Sequence, residues 1–306
     1  TSFLYDCRNR LQYTLFEADD QNRVVFERRY YDNLDQLVKL ERYHDTAADG
    51  VDPDGDPNPD DVLIARQETF YDNRGGIYRT KRYAVNPSSG SVGPCLVSNT
   101  WYDASGNVIK QQAEGQRAFT KTVHDGLGRP TKQYFGYDLD ETLYADAATI
   151  SGDTIVEQTE TTYDPAGNAT LVTTRQRFHN ATGEGELTSP DGPQPKARVS
   201  YVAHWYDEIG RRKATADYGT NDGVVPTRLT TVPLGSDTIL VTSTEYDSAG
   251  NACKTIDPAG REDRQEFNQA GRVIKTIQNY KLRRVRETSP FKVQKHSVFR
   301  GFHESQ

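Results

Sequence analysis

Three aspartates in the acidic segment DGVDPDGDPNPDD have the spacing at which calcium ligands often occur. Asp52, Asp54 and Asp56 stand at alternate positions of this segment. A calcium loop of the EF-hand type would also need glycine at its sixth position and glutamate at its twelfth, where this chain has Pro57 and Leu63. The three aspartates are therefore a weak calcium candidate, and the alternative is a solvated loop whose like charges repel one another.

Other patterns that would indicate catalysis or a bound cofactor do not occur in the sequence. It contains no HExxH, GxSxG, Walker A or GxGxxG motif. Cys7, Cys95 and Cys253 are far apart and form no CxxC pair, which argues against a zinc site, a redox motif or a disulfide framework. We therefore predict no enzymatic activity, no cofactor and no metal site. An enzyme with an unrecognised site is a minor alternative, because no nucleophile, base and oxyanion donors can be grouped.

The residues that do recur at regular spacing form a short turn motif. It consists of an aromatic or large apolar residue, an acid or its amide, two variable residues and a glycine. Aspartate at the first position of a type I turn accepts backbone N–H groups, and the glycine supplies the positive φ that a G1-bulge hairpin requires. Each copy is therefore predicted to be a strand, a tight turn and a strand. The clear copies contain Tyr102, Asp103 and Gly106; Asp125 and Gly128; Tyr163, Asp164 and Gly167; Tyr206, Asp207 and Gly210; Tyr246, Asp247 and Gly250; Asp257 and Gly260; and Gly271.

The residue after the glycine is Asn or Arg in all seven of these copies. We interpret it as a polar side chain held beside the turn aspartate, or as an arginine that lies over the tyrosine ring. His124 stands where tyrosine usually stands, and we interpret it as an aromatic substitute rather than a catalytic residue. Looser copies begin at Tyr5, Tyr31, Tyr71 and Tyr137, so the motif extends along most of the chain.

The residues that flank the turns predict the fold class. They are short runs of β-branched, aromatic and polar residues, which are typical of strands. Since a single hairpin cannot bury its apolar face alone, the hairpins must pair in series. We predict an all-β fold in which serial hairpins form a curved, spiralling antiparallel sheet. The strands at its ends would be unpaired, so we expect the isolated chain to associate or to need a neighbouring segment.

Composition and charge exclude several classes of protein. The 18 Tyr and 11 Phe residues are typical of a folded chain, although mean hydropathy is −0.81. No run of 18 apolar residues could span a membrane, and the net charge of −7 argues against nucleic-acid binding. The charge is uneven, because seven Lys or Arg and two Glu give residues 281–306 a charge of +5, which leaves −12 for the rest. The absence of Met indicates a processed piece or an excerpt.

The Tyr-Asp-x-x-Gly motif resembles the YD repeat of the Rhs proteins, teneurins and Tc-toxin cocoons, from about Tyr5 to Tyr280. In that family the repeats form a spiralling β-sheet that walls a hollow shell, which holds a toxin in bacterial members, whereas teneurins act in cell adhesion. The resemblance implies a structural wall segment that encloses or presents a polypeptide. It also implies that the partners are neighbouring repeat segments or the enclosed polypeptide, and that the protein is secreted or lies at the cell surface.

The chain departs from the bacterial members of this family in two respects. Their C-terminal core self-cleaves at an Asp-Pro-x-Gly-Leu element, whereas the Asp-Pro-Ala-Gly turns here are followed by Asn168 and Arg261, so no self-cleavage site carries over. The 306 residues are also too few for a closed shell. The predicted organisation is one YD-repeat domain, 1–280, with loop inserts near 45–65 and 181–198, followed by a basic non-repeat tail, 281–306.

An extracellular carbohydrate-binding or adhesion module is the alternative function. Such a module would stack exposed aromatic rings on sugars, and Trp101 and Trp205 are the rings named for this role. Glycans would then be the partners.

Overall fold

The protein is all-β, as predicted, and most of its strands pair in antiparallel fashion with their neighbours in sequence. The structure is a computed structural model that describes residues 1–16, 24–45, 57, 61–138 and 144–280. Within this part of the chain, helix is limited to two short 3₁₀ segments, Tyr144–Ala148 and Asn221–Gly223. The chain divides into two compact units, Thr1–Val241 and Thr242–Gln306.

Two features of interest in the sequence lie outside the described residues. They are the calcium candidate, formed by Asp52, Asp54 and Asp56, and the basic tail, 281–306.

The first unit is a run of hairpins in which each strand pairs with the next. The pairings run from β1 with β2 to β13 with β14, and all are antiparallel. Serial hairpins are therefore confirmed for this unit. The strands are β1 (Ser2–Tyr5), β2 (Leu11–Leu15), β3 (Val24–Tyr31), β4 (Leu37–Asp45), β5 (Val62–Tyr71), β6 (Ile77–Val85), β7 (Val92–Tyr102), β8 (Val108–Gln112), β9 (Ala118–His124), β10 (Pro130–Tyr137), β11 (Thr154–Tyr163), β12 (Ala169–Arg177), β13 (Ala197–Tyr206) and β14 (Arg212–Gly219).

The connections of the first unit lie at two opposite ends of its strands. Because neighbouring strands are antiparallel, successive connections alternate from one end of the strands to the other. The aspartate turns all join an odd-numbered strand to the following even-numbered strand, so they lie at the same end, which we call the turn end. The opposite end, the insert end, carries the described connections 86–91, 113–117 and 178–196 and the described part of 138–153.

Strand β13 shows how side chains alternate between the two faces of the sheet. Its odd-numbered residues from Ala197 to Trp205 are buried, and the residues between them are half-buried or exposed. Trp205 packs in a cluster with Ala203, Ala214 and Ala216. The connection that follows β14 supplies Val232 and Ile239 to the same cluster, so this connection covers one face of β13.

The insert predicted near 181–198 also contributes to the core. It has no regular strand before β13, as expected of a loop, but its Leu187 is only 2% exposed. Leu187 packs in a second cluster with Tyr134, Ile155 and Ala197. The insert is therefore held against the sheet by an apolar anchor in addition to its polar residues.

The second unit contains a four-strand meander. Its strands are β15 (Leu240–Tyr246), which begins two residues before the boundary, β16 (Ala252–Ile256), β17 (Glu262–Phe267) and β18 (Val273–Ile277). Each pairs with the next in antiparallel fashion. The turns at Asp247 and Asn268 lie at one end of the strands of this meander. The turn at Asp257 lies at the opposite end, because it joins β16 to β17.

The aspartate turns as candidate functional site

Each aspartate turn is closed by a set of short hydrogen bonds, and the turn at Asp164 shows the arrangement. The Gly167 N–H donates to the Asp164 carbonyl at 3.0 Å, and the Asp164 N–H donates to the Asn168 carbonyl at 2.9 Å. Oδ1 of Asp164 accepts the Asn168 N–H at 2.8 Å. Gly167 has a φ of +89°, a conformation that strains any residue with a Cβ atom. Aspartate and glycine are therefore needed for separate reasons, one as an acceptor and one for its backbone.

The same backbone conformation recurs at the other copies. The glycines of the seven clear copies have φ between 71° and 92°. Two looser copies reach this conformation without glycine, because Asn9 and Asp35 have φ of 62° at the equivalent position. Asn and Asp tolerate the left-handed region better than other side chains do. A motif search that requires glycine misses these two turns.

The residue after the glycine binds the aspartate of its own turn. In one type of turn Nδ2 of Asn107 donates to Oδ2 of Asp103 at 2.9 Å, and in the other Nε of Arg129 donates to Oδ2 of Asp125 at 2.7 Å. The Asn107 side chain lowers the pKa of Asp103, and the Arg129 side chain lowers the pKa of Asp125, because each donates to the ionised carboxylate. The turn carboxylates are thus held as anions that accept hydrogen bonds.

The arginine type of turn also reaches the next hairpin. The Arg129 guanidinium carbon lies 4.6 Å from the ring centroid of Tyr163, and that of Arg10 lies 4.8 Å from the centroid of Tyr31. In each case the tyrosine directly precedes the aspartate of the next turn. One arginine therefore makes both contacts that the sequence suggested, to its own aspartate and to a tyrosine ring.

Five of the motif tyrosines make a second contact between hairpins, which we call the tyrosine bond. Each hydroxyl donates to the backbone carbonyl that lies five residues after the aspartate of the preceding turn. At five junctions in the described part of the chain the oxygen atoms are 2.8–3.0 Å apart. The pairs are Tyr31 with Leu11, Tyr71 with Leu37, Tyr102 with Ile77, Tyr163 with Pro130 and Tyr206 with Ala169.

The tyrosine bond has a constant place in the strand register. Leu171 pairs with Ala203, so the acceptor Ala169 faces Trp205, the residue just before Tyr206. The same offset follows from the pairings at the other four junctions. The acceptor is a backbone group and carries no sequence signal, so sequence reasoning did not find this bond. The constant step from each turn aspartate to the carbonyl is the signal that could have found it.

Neighbouring turns also contact one another along the turn end of the sheet. The Arg74 guanidinium donates to the carbonyls of Asp103 and Ala104 in the next turn, at 3.0 and 2.9 Å. A Cβ atom at Gly128 would lie 3.1 Å from Oδ1 of Asn107, which belongs to the preceding turn. The turns are therefore packed against each other as well as closed within themselves.

Comparisons with known proteins give a structural likeness and no family assignment. No family model and no curated protein matches the chain. The solved Photorhabdus luminescens Tc holotoxin pore matches with 11% identity and a TM-score of 0.34, over 90% of this chain and 16% of that one. A crystal structure of TcdB2-TccC3-Cdc42 matches with 12% identity and a TM-score of 0.27, over 91% of this chain and 18% of that one. The chain therefore spans less than a fifth of the length of these structures.

Two motif positions keep an aromatic ring but lack the tyrosine hydroxyl, and at a third, Ile256 stands in place of the aromatic residue. Val108 faces Val123 in the register of β8 and β9, so its carbonyl is where the residue at 124 would form a tyrosine bond. His124 occupies that position, and its Nδ1 atom is buried without a hydrogen-bond partner among the described residues. Phe267 replaces tyrosine in the second unit. Both residues keep the aromatic ring of the motif without its hydroxyl.

A buried carboxylate on the sheet shows how charge is accommodated away from the turns. Glu41 is 1% exposed and accepts hydrogen bonds from Tyr30 at 2.7 Å, from Tyr43 at 2.9 Å and from Nε of Arg66 at 2.7 Å. Burial raises the pKa of Glu41, but these donors outweigh it and the net pKa is lowered. Burial and the bond to Glu41 raise the pKa of Tyr43 to about 12. The network joins three strands and leaves Glu41 ionised and fully engaged.

A buried ion pair holds the connection between β10 and β11 to the sheet. Nζ of Lys121 lies 2.7 Å from Oδ2 of Asp153, and both side chains are almost fully buried. The same ammonium donates to the carbonyls of Asp146 and Thr149 at 2.9 and 2.6 Å. Because the Lys121 ammonium donates to two carbonyls and one carboxylate of this connection, Lys121 holds the connection against the sheet.

The remaining polar clusters and cavities contain no metal-ligating group of side chains within the described residues. No group of three or more His, Cys, Asp or Glu side chains there could hold a metal ion. One cavity, of about 540 Å³, is lined by Tyr137, Arg177 and His179 among others. The Arg177 guanidinium in this cavity donates to the carbonyls of Ala181 and Gly183, so it holds the connection 178–196 in place. No helix among the described residues is long and apolar enough to cross a membrane.

The burial of Trp205 contradicts the exposed ring that the carbohydrate-binding alternative assumed at this position, and Trp101 is only partly exposed. Trp205 is 1% exposed, its Nε1 donates to the Leu229 carbonyl at 3.0 Å, and the Arg228 guanidinium lies over the ring. Trp101 is half-buried, and Nζ of Lys110 lies 4.8 Å from its ring centroid. The connection that covers Trp205 follows β14 and contains apolar residues, which is the signal that the sequence offered for its burial.

Proposed function

We propose that this chain is a non-catalytic structural segment, a length of the wall of an Rhs-type shell that encloses or presents a polypeptide. The observation that carries the proposal is the tyrosine bond, which joins one hairpin to the next at the same register offset at five junctions. A junction that repeats with constant geometry extends a sheet, and each hairpin depends mainly on its neighbours. Such a design suits a wall more than a pocket for a single ligand.

The chemistry of the turns supports a structural role. A carboxylate that acts as a general acid or base must be able to exchange a proton with a substrate. The turn aspartates instead accept backbone N–H groups on Oδ1 and an Asn or Arg side chain on Oδ2. On this proposal the partners are neighbouring repeat segments and an enclosed polypeptide, and the protein acts outside the cell or at its surface.

Protease protection in the natural-length protein tests this function. The protein would be purified at the length at which its source makes it and treated with protease, with mass spectrometry of the fragments. We expect a second polypeptide, or a further segment of the same chain, to resist cleavage in the intact particle and to be digested after the particle is opened with acid. Casein added outside the particle is the control and should be digested under both conditions. An intact particle that protects no polypeptide would contradict the proposal.

A further inference from the structure

The first and last described strands resemble each other in their pairing and in the exposure of their side chains. Among the strands that the structure describes, β1 pairs in register with β2 alone, and β18 pairs with β17 alone. Phe3, Leu4 and Tyr5 of β1 are 54%, 44% and 57% exposed. Val273 and Ile274 of β18 are 49% and 63% exposed. Both strands therefore present exposed apolar side chains and one backbone side that pairs with no other described strand.

These edges carry few of the devices by which sheet edges usually avoid association, although the pairing of each strand with its one described neighbour has a register shift beside the motif turn. Natural edge strands often carry lysine, proline or a bulge that prevents further pairing. Strand β1 reads SFLY and has no charged residue or proline. Strand β18 reads VIKTI, and its one lysine, Lys275, is paired with Glu266 at 2.7 Å. Their short length is what limits each edge.

The geometry of the tyrosine bond predicts which group each edge strand would contact in a neighbouring strand. Tyr5 has the position of the motif tyrosine, so its hydroxyl should meet a carbonyl five residues after an earlier turn aspartate or asparagine. The last turn begins at Asn268, so the carbonyl that it offers to a following tyrosine is that of Val273. Arg272 follows Gly271 as Arg129 follows Gly128, but its side chain makes no hydrogen bond or ion pair with any described residue. One edge thus offers the donor, and the other offers the acceptor and an arginine.

We propose that the β1 edge of this chain binds the β18 edge of a second copy, in antiparallel register with Leu4 opposite Val273 and Phe3 opposite Ile274. The Tyr5 hydroxyl donates to the Val273 carbonyl of the other copy, and Arg272 of that copy lies over the Tyr5 ring. This is the geometry of Tyr163 with Pro130 and Arg129, repeated between molecules. The inference rests on the junction geometry and does not depend on the shell role.

The contact joins two different edges, so it is head-to-tail. Such contacts form open chains or rings, in contrast to the closed dimer that a self-complementary edge gives. Pairs of four- and five-residue strands bury less area than the roughly 1,200–2,000 Å² of a stable interface. Association should therefore be weak and should increase with protein concentration.

Single substitutions at the facing positions test the proposal on the full 306-residue chain. Phe3→Lys places a charge on the β1 edge, and Ile274→Glu places one on the β18 edge. We expect the average mass of the unsubstituted chain to rise with concentration in sedimentation equilibrium, and each variant alone to stay at the mass of one chain. Leu234→Lys, at an apolar residue that is 91% exposed and outside the strands, is the matched control and should associate normally.

Mixing the two variants gives the decisive result. The mixture contains one intact β1 edge and one intact β18 edge, so we expect complexes that contain both variants although neither associates alone. If the Ile274→Glu chain associates by itself while Phe3→Lys does not, β1 pairs with another β1 and the proposal is wrong. Association of both single variants, or a single-chain mass for the unsubstituted protein at every concentration, overturns it as well.

Disulfide formation tests the register. In a chain with serine at the three natural cysteine positions, Leu4→Cys molecules mixed with Val273→Cys molecules should form covalent pairs on mild oxidation, because facing strand residues bring Cβ atoms within disulfide range. Leu4→Cys mixed with Ile274→Cys is the control, since those side chains point to opposite faces. Equal crosslinking in both mixtures would reject the proposed register.

Discussion

The hydroxyl of Tyr163 donates a hydrogen bond of 2.8 Å to the carbonyl of Pro130, the first residue of β10 in the preceding hairpin. The bond lies at the end of the β10–β11 strand pair and joins two neighbouring aspartate turns. Arg129 lies over the same tyrosine ring and binds Asp125 of its own turn. Turn closure and the joining of hairpins therefore share one arginine.

Removing one tyrosine hydroxyl should weaken one junction. Tyr206→Phe deletes the donor to the Ala169 carbonyl and keeps the ring, so we expect a loss of about 0.5–1.5 kcal/mol in the free energy of unfolding. Urea unfolding followed by tyrosine fluorescence would measure it. Tyr137→Phe is the control, because this half-exposed tyrosine ends β10 and forms no tyrosine bond with a described residue. Equal effects of the two substitutions would show that the hydroxyl contributes nothing specific.

Restoring the hydroxyl at His124 should strengthen the sheet. His124→Tyr places a donor where the register puts the Val108 carbonyl, and His124 lines a cavity of about 220 Å³ that can accept the larger ring. We expect a gain of about 0.5–1.5 kcal/mol in the free energy of unfolding. His124→Phe is the matched control, since it has the ring without the hydroxyl. If the tyrosine variant is no more stable than the phenylalanine variant, the bond does not form at this position.

A β-branched residue at a turn glycine should be strongly unfavourable. Gly167 has a φ of +89°, and a Cβ atom at this position would lie 3.8 Å from its nearest neighbour, Nη1 of Arg129, so the backbone conformation is the obstacle and not space. Gly167→Val should reduce the free energy of unfolding by about 1–3 kcal/mol. Gly126→Val, at a turn glycine without a positive φ and with open space around it, should cost much less in the same unfolding assay. Similar losses at both positions would contradict this explanation.

The turn carboxylates should make stability depend on acid pH. The pKa of Asp125 is lowered by the Arg129 side chain and by backbone N–H donors. A carboxyl group whose pKa is lower in the folded state contributes stability above its unfolded pKa of about 3.9 and loses it as pH falls through the folded value. Asp103, Asp164, Asp247 and Asp257 show pKa shifts in the same direction. We therefore expect the urea midpoint to fall as pH drops below about 4.

An amide at one turn provides the control for this pH dependence. Asn268 replaces aspartate naturally and still accepts the N–H groups of Ala270 and Arg272. Asp125→Asn should therefore keep the turn, lower stability at neutral pH and make the acid loss shallower. An unchanged slope of stability against pH between about 5 and 2 would exclude Asp125 as a contributor.

The sequence was sufficient for the features that a single hairpin determines. Aspartate, glycine and the following Asn or Arg are all local to one turn, so their spacing predicted the strands, the turn and the partner of the aspartate. Asn9 and Asp35 show the limit of the pattern, because the left-handed conformation at these turns is reached without glycine. The assignment of residues 1–280 to one domain and of 281–306 to a tail remains a prediction.

Contacts between distant parts of the chain could not be predicted in the same way. The tyrosine bond ends on a carbonyl, and every residue has one, so the residue types do not reveal the acceptor. The carbohydrate-binding alternative assumed that Trp205 is an exposed ring, but a later connection covers it, and the Leu229 carbonyl of that connection accepts a hydrogen bond from its Nε1 atom. Leu187 lies in an insert rich in Pro and Gly, and only the fold shows that it reaches Tyr134 and Ile155.

The connections of the first unit lie at opposite ends of its strands, and this arrangement has a consequence for variation and engineering. At the turn end each turn contacts the next, so a change of length there would disturb two hairpins at once. The connections 86–91, 113–117 and 178–196 lie at the other end of the strands, where they differ in length while the tyrosine bonds of β7 and β13 keep the same register offset. We therefore expect that end to accept foreign peptides, so that several epitopes inserted there would be displayed side by side on a single scaffold.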